Sequence, residues 1–228
     1  MTEFAYKYYK NSDTPDKWLF FLHGYNNTQE EMLHIYKGLL EKTKNLAIVT
    51  PIGKQISSTD ESRHSWWKVS GFDSEGKRLK IETPVEEIAD IYNTVGNILL
   101  LTANQVNDFI DTIQKKYNFN DSQTYIGGFS QGAMLGIWTS LIRKHSVKGC
   151  FSCSGLVAAN EYLNDKIRSN PKIYLLHGKQ DKQVLYKCLD YSVKTLKEMK
   201  IEATAISYEN LSHAVNHEEI EFMSSKLK

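Results

Sequence analysis

Cysteine, proline and net charge are all scarce in this chain, and each scarcity excludes something. Three cysteines, an odd number, cannot form a disulfide framework. Cys150 and Cys153 spell C-x-x-C, yet they fall where a strand is expected, and residues three apart on a strand face opposite sides. Free buried thiols and a reducing compartment, the cytoplasm, are therefore expected. With four prolines and no stretch rich in proline, glycine or serine, no linker divides the chain, and no internal repeat is visible. Lysine and arginine number 28 against 27 acids, a net charge of +1, which gives no reason to expect nucleic acid as a partner. No apolar run is long enough to span a bilayer, and Met1-Thr2-Glu3-Phe4 does not begin a basic-then-apolar signal segment. Any membrane contact would be transient and at the surface.

What is present is enough apolar residue, 41% of 228, for one well-buried core. Apolar runs alternate with helical patterns along the chain, which argues for a single α/β domain over residues 1–228. Residues 18–22, Trp-Leu-Phe-Phe-Leu, form a continuous apolar run of the kind seen in a strand buried on both faces. After it, Thr28 and Glu31 have the spacing of a capping box, and Met32, Ile35, Tyr36, Leu39 and Leu40 share one helical stripe.

The densest chemistry lies at Gly128-Phe129-Ser130-Gln131-Gly132. A strand over 123–127 leads into this G-x-S-x-G, and Met134, Ile137, Trp138 and Leu141 follow at helical spacing, so the pentapeptide reads as a nucleophile elbow. Glycines on either side remove the Cβ atoms that would clash in so tight a turn. Ser130 would stand exposed at the sheet edge, and the Gln131 N–H, at a helix start, would face a developing oxyanion.

A serine hydroxyl needs a histidine to take its proton and an acid to orient that histidine. Asp181 follows an apolar strand over 172–178 and lies in the loop just beyond it, where an orienting acid belongs. Asp165 and Asp190 have no strand immediately before them. His213 lies in a loop after the strand over 203–208 and is the candidate base. His23 and His177 each end an apolar run before a glycine and read as packing or turn residues. His217, four after His213, lacks the H-E-x-x-H pattern, so no metal site is expected. His34, His64 and His145 read as solvated. The N–H of Tyr25, after the His23-Gly24 turn, is the natural second oxyanion donor.

Taken in order, Leu22-His23-Gly24, Ser65-Trp66-Trp67, Gly128 to Ala133, Ser154-Gly155-Leu156, His177-Gly178-Lys179-Gln180-Asp181 and Ser212-His213 with Glu218-Glu219-Ile220 resemble the phospholipase/carboxylesterase family of α/β-hydrolases, the group that includes acyl-protein thioesterases. The resemblance runs from about residue 18 to the C-terminus. It implies a mostly parallel central sheet with helices on both faces, Ser130, Asp181 and His213 as a triad, and Tyr25 and Gln131 as backbone oxyanion donors. It also implies a small-molecule or lipid ester as substrate and no cofactor. Dienelactone hydrolases and small peptidases share the scaffold, and a silent relative acting as a binding protein is the alternative from another class.

Two departures from the family stand out. Asn26 occupies a position where glycine is usual, and residues 71–100 are longer than is common. Val85, Ile88, Ala89, Tyr92, Val95 and Leu99 recur in that stretch at helical spacing. The expectation is either a helix packed on the sheet or a flap whose apolar face lines an acyl pocket, with Trp66, Trp67, Ile88 and Tyr92 as its candidate walls.

Overall fold

The computed structural model describes residues 4–68 and 82–228. In chain order the elements are β1 (Tyr6–Lys10), β2 (Lys17–Leu22), α1 (Leu33–Lys42), β3 (Leu46–Pro51), β4 (Gln55–Ile56), β5 (His64–Ser65), α2 (Val85–Asn93), α3 (Gly96–Tyr117), β6 (Thr124–Phe129), α4 (Gln131–Ile142), β7 (Gly149–Cys153), α5 (Asn160–Leu163), β8 (Ile173–Gly178), α6 (Lys187–Glu198), β9 (Ala203–Tyr208) and α7 (His217–Lys226). Seven strands form one sheet in the order β1-β3-β2-β6-β7-β8-β9. Only β1 runs antiparallel to its neighbour; every other pair in this sheet is parallel. This is the mostly parallel sheet with helices on both faces expected of an α/β-hydrolase.

Strand β2 shows why an unbroken apolar run suits this architecture. Trp18, Phe20 and Leu22 point into a core shared with α3, α4 and α6, while Leu19 and Phe21 point into a second core under α1 and α7. Each face needs apolar side chains, so the run cannot alternate with polar ones. Cys150 and Cys153 divide in the same way, one into each core, and both are free thiols that burial pushes upward in pKa. Helix α4 is buried along its whole length, a stronger burial than its spacing alone suggests.

The strand order reverses between β2 and β6. From β2 the chain turns outward to β3, then crosses back to place β6 on the other flank of β2. The crevice at the carboxyl ends of β2 and β6 is therefore the topological switch point, where open α/β sheets hold their sites.

Two local expectations are corrected. Thr28 and Glu31 do make the reciprocal bonds of a capping box, at 3.0 and 3.2 Å, but they close a turn and α1 begins only at Leu33. The Glu31 carboxylate is also taken by Arg63 at 2.8 Å, which draws the turn toward β5 and away from a helix start. The stripe from Val85 to Leu99 is two helices. Thr94 bonds back to the Ile91 carbonyl at 2.6 Å, and Gly96 lies so flat on the Tyr162 ring that a Cβ there would meet it at 2.5 Å. Ile88 and Leu99 are fully buried in the larger core, with α2 packed against α5 and α6. Residues 71–81 of the expected insert lie outside the described residues. Among the described residues, no helix is long and apolar enough to cross a membrane.

Candidate active site

Ser130 follows β6 directly and has φ 55° and ψ −119°, a strained conformation for a residue with a side chain. The sequence permits it because β6 and α4 cross almost in contact. A Cβ on Gly132 would lie 2.2 Å from the Leu22 carbonyl oxygen, and one on Gly128 would lie 2.4 Å from the Gly132 backbone. The Ser130 N–H donates to the Cys153 carbonyl at 2.9 Å, and its own carbonyl accepts from Ala133 and Met134 at the start of α4.

His213 and Asp181 reach Ser130 from the loops after β9 and β8. His213 Nε2 lies 3.0 Å from Ser130 Oγ, and His213 Nδ1 lies 2.8 Å from Asp181 Oδ2. Asp181 Oδ1 accepts the N–H groups of Gln183 and Val184 at 2.9 and 3.0 Å, which fixes the carboxylate plane. Burial alone would push the Asp181 carboxyl up. Hydrogen bonding from His177 and His213, then the His213 charge and the Gln183 N–H, outweigh it and hold the group well below the usual carboxylate range. The Phe129 ring packs against the His213 ring at 4.7 Å and limits its tilt.

The loop after β2 borders the same crevice. A Cβ on Gly24 would come within 3.2 Å of the Phe129 ring and 3.6 Å of the Ser130 Cβ, so the backbone around Tyr25 lies against the elbow. The Tyr25 side chain is exposed at the rim. Gln131 supplies the first N–H of α4, which has no acceptor within the helix. Asn26 adopts φ 49°, the left-handed region that glycine would occupy without penalty and that asparagine tolerates better than most residues.

The structure brings together Ser130, Asp181, His213, Tyr25 and Gln131. The four pocket candidates lie deeper. Trp66 and Trp67 are almost wholly buried in the larger core; the Trp66 ring stacks on His23 at 4.9 Å, and its indole N–H donates to the His23 carbonyl at 2.8 Å. Ile88 is fully buried in the same core. Tyr92 is half-buried against that core, and burial first, then the Cys188 and Asp181 charges, push its hydroxyl up. Asp190 and Asp165 are exposed on α6 and on a short 3-10 turn.

Among the other histidines, His23 is buried, donates from Nδ1 to the Gly24 carbonyl and accepts the Gly53 N–H at Nε2, 2.9 Å away. Burial lowers its pKa to about 4, so it stays neutral. His34 and His64 are bonded and not simply solvated: His34 Nε2 lies 3.2 Å from the Val215 carbonyl, and His64 Nδ1 lies 2.9 Å from the Gly53 carbonyl. His217 pairs with Glu221 on α7, and no metal-binding cluster occurs among the described residues.

Two features were not read from the sequence. His177 Nε2 bonds the Val184 carbonyl at 2.8 Å and lies 3.4 Å from Asp181; its i,i+4 spacing to the acid across one turn was the available signal. The other is residues 63–67, whose hydrogen bonds link the Tyr25–Asn26 backbone to Gln131. Ser65-Trp66-Trp67 stands out only as a segment of the family resemblance, with nothing local to show its bonds to Asn26 and Gln131.

Comparison with known proteins gives a consistent relationship. An acyl-protein thioesterase 1 of Aspergillus fumigatus is 32% identical over 130 residues, 53% of this chain and 54% of that protein. The chain thus spans about half the length of the first curated relatives it matches. Carboxylesterase SOBER1 of Arabidopsis thaliana is 22% identical over 78% of this chain and 82% of its own length. Two solved structures share the fold: esterase PE8 has a TM-score of 0.82 at 18% identity, covering 99% of this chain and 98% of that one, and Arabidopsis thaliana SOBER1 has 0.74 at 19%, covering 92% and 97%. The phospholipase/carboxylesterase family model matches residues 9–228, which takes in the elbow, the Asp181 turn and the His213 loop, and the chain belongs to that family.

Proposed function

We propose that this chain is a serine esterase that hydrolyses carboxylic esters or thioesters through an acyl-enzyme. The observation that carries the reading is the unbroken line from Ser130 Oγ to His213 Nε2 at 3.0 Å and from His213 Nδ1 to Asp181 Oδ2 at 2.8 Å. An ionised Asp181 keeps the His213 proton on Nδ1, so the Nε2 lone pair faces the serine hydroxyl. As Ser130 Oγ attacks the carbonyl carbon, its proton passes to His213. The oxygen that becomes negative is held by the N–H groups of Tyr25 and Gln131. The tetrahedral species collapses when His213 returns the proton to the departing alcohol or thiol. Water then attacks the acyl-Ser130 by the same route and regenerates the free hydroxyl.

The names of the relatives, thioesterase and carboxylesterase, support acyl substrates over peptides. Tyr92, half-buried at the edge of the larger core, is our candidate for the acyl-pocket wall, and Trp66, Trp67 and Ile88 are buried in that same core. Three free buried thiols suit a reducing compartment such as the cytoplasm.

The test is a hydrolysis panel of p-nitrophenyl esters of increasing chain length, run beside an acyl thioester and a lysophospholipid. Ser130→Ala should lose about 10⁴-fold or more in kcat and should no longer be labelled by a fluorophosphonate probe. Labelling that persists in the variant, or a parent inert to every member of the panel, overturns the reading.

A further inference from the structure

Asn26 is a non-glycine residue in a left-handed turn beside the nucleophile, a conformation that persists only when its surroundings hold it. One short segment does so. The Asn26 N–H donates to Ser65 Oγ at 2.8 Å, and the Asn26 carbonyl accepts from Arg63 Nη1 at 2.6 Å. Asn27 and His64 exchange both backbone hydrogen bonds, each 3.0 Å. The segment then continues to the elbow: the Trp66 N–H donates to Gln131 Oε1 at 2.9 Å, and Gln131 Nε2 donates to the Trp67 carbonyl at 3.0 Å. None of these bonds involves Ser130, His213 or Asp181. All of them lie on the two stretches of backbone that present the proposed oxyanion donors.

We infer that Ser65 is a positioning residue for the oxyanion pocket, its hydroxyl accepting the Asn26 N–H and so fixing the direction of the neighbouring Tyr25 N–H. The Gln131 side chain ties the same segment to α4, so the spacing between the two donors is set through residues 65–67. Ser65 is 7% exposed and acts only through the loop. Replacing it with alanine leaves a part-buried N–H without its acceptor, and the turn recovers one only by moving. A donor displaced by about an ångström loses most of its hold on a developing oxyanion. The inference rests on the esterase reading for its catalytic consequence, but the brace itself is a structural claim with its own readout.

Ser65→Ala should lower kcat about 10- to 100-fold on p-nitrophenyl butyrate while KM stays within about threefold, the split expected when a donor acts on the transition state. Amide exchange at residues 25–27 should accelerate, with β2 and β6 unchanged. Adding Asn26→Gly should recover part of the lost kcat, because glycine takes the left-handed turn at no steric cost. Arg63→Gln, at a side chain 33% exposed, removes the bond on the other side of the turn and should shift kcat the same way by less, which serves if Ser65→Ala does not fold. A kcat within twofold of the parent, or a loss that tracks melting temperature and is not relieved by Asn26→Gly, overturns the inference. A parent that hydrolyses no ester overturns the esterase reading instead, and unchanged exchange at 25–27 then removes the brace on its own.

Discussion

His177 Nε2 lies 3.4 Å from Asp181 Oδ2, the oxygen that also accepts the hydrogen bond from His213 Nδ1. Its nearer neighbour, at 2.8 Å, is the Val184 carbonyl. Both are acceptors, so the Nε2 of His177 carries a proton, and that N–H dipole helps keep Asp181 ionised. An ionised carboxylate is what His213 needs. Asp181→Asn should therefore lower kcat about 10³- to 10⁴-fold by favouring the wrong imidazole tautomer. Asp190→Asn, on the exposed side of α6, should leave kcat near the parental value. Steady-state kinetics on both variants decide the assignment, and the reverse pattern would move the acid to Asp190.

Burial distinguishes Tyr92 from Ile88. Each methylene withdrawn from water is worth about 0.8 kcal/mol, so an acyl pocket that shelters several should prefer long chains by tenfold or more. Tyr92→Ala should change that preference with little effect on acetate esters. Ile88→Ser should do the opposite, lowering the melting temperature through a cavity and a buried hydroxyl and scaling every ester down alike. Chain-length profiles and melting curves on both variants check this; a uniform loss in Tyr92→Ala would exclude it from the pocket.

Acid should destabilise the fold through His23. Its pKa is lowered to about 4 by burial, against an unfolded value near 6.5, so the unfolded chain binds the proton first. The stability His23 contributes is present above about pH 6.5 and is lost as pH falls toward 4, by about 3 kcal/mol over that window. Urea unfolding of the parent and of His23→Gln across pH 7 to 4 measures this. The variant should show a shallower decline, and parallel curves would assign the loss to other groups.

Glu219 acts at the other end of the pH scale. Its Oε2 accepts the Asn216 N–H as part of the α7 capping box, while Oε1 is buried with no partner among the described residues. Burial first, and then the Asp181 charge, push its carboxyl up to about 8 against the opposing effect of the Asn216 N–H. A raised folded value means that its contribution is full below an unfolded pKa near 4.3 and is lost as pH rises through 8. Glu219→Gln keeps an oxygen for the cap and cannot ionise. It should melt above the parent at pH 9 and close to it at pH 5, and equal melting temperatures at pH 9 would refute the account.

Much of the site was legible because local chemistry writes it. The elbow needs glycine at 128 and 132, and the strand that ends before Asp181 is a nearly continuous apolar run. The parts that were not legible are made by distant pairing. β1 is built of tyrosines and lysines without strict alternation and becomes a strand only through its antiparallel register with β3. The break between α2 and α3 depends on a Tyr162 ring from α5. Ser65 acquires its part only because a two-residue strand brings it beside Asn26, 39 residues away. A hydroxyl in such a segment has no periodicity to reveal it.

The φ of 55° at Ser130 has a thermodynamic side. A side-chain-bearing residue held there costs the folded state about 1 to 3 kcal/mol, so the residue that would perform the chemistry weakens the molecule that carries it. Ser130→Gly relieves that cost and removes the nucleophile in one step. Selection for thermal robustness alone would therefore erode the elbow, and its persistence would have to come from selection on turnover.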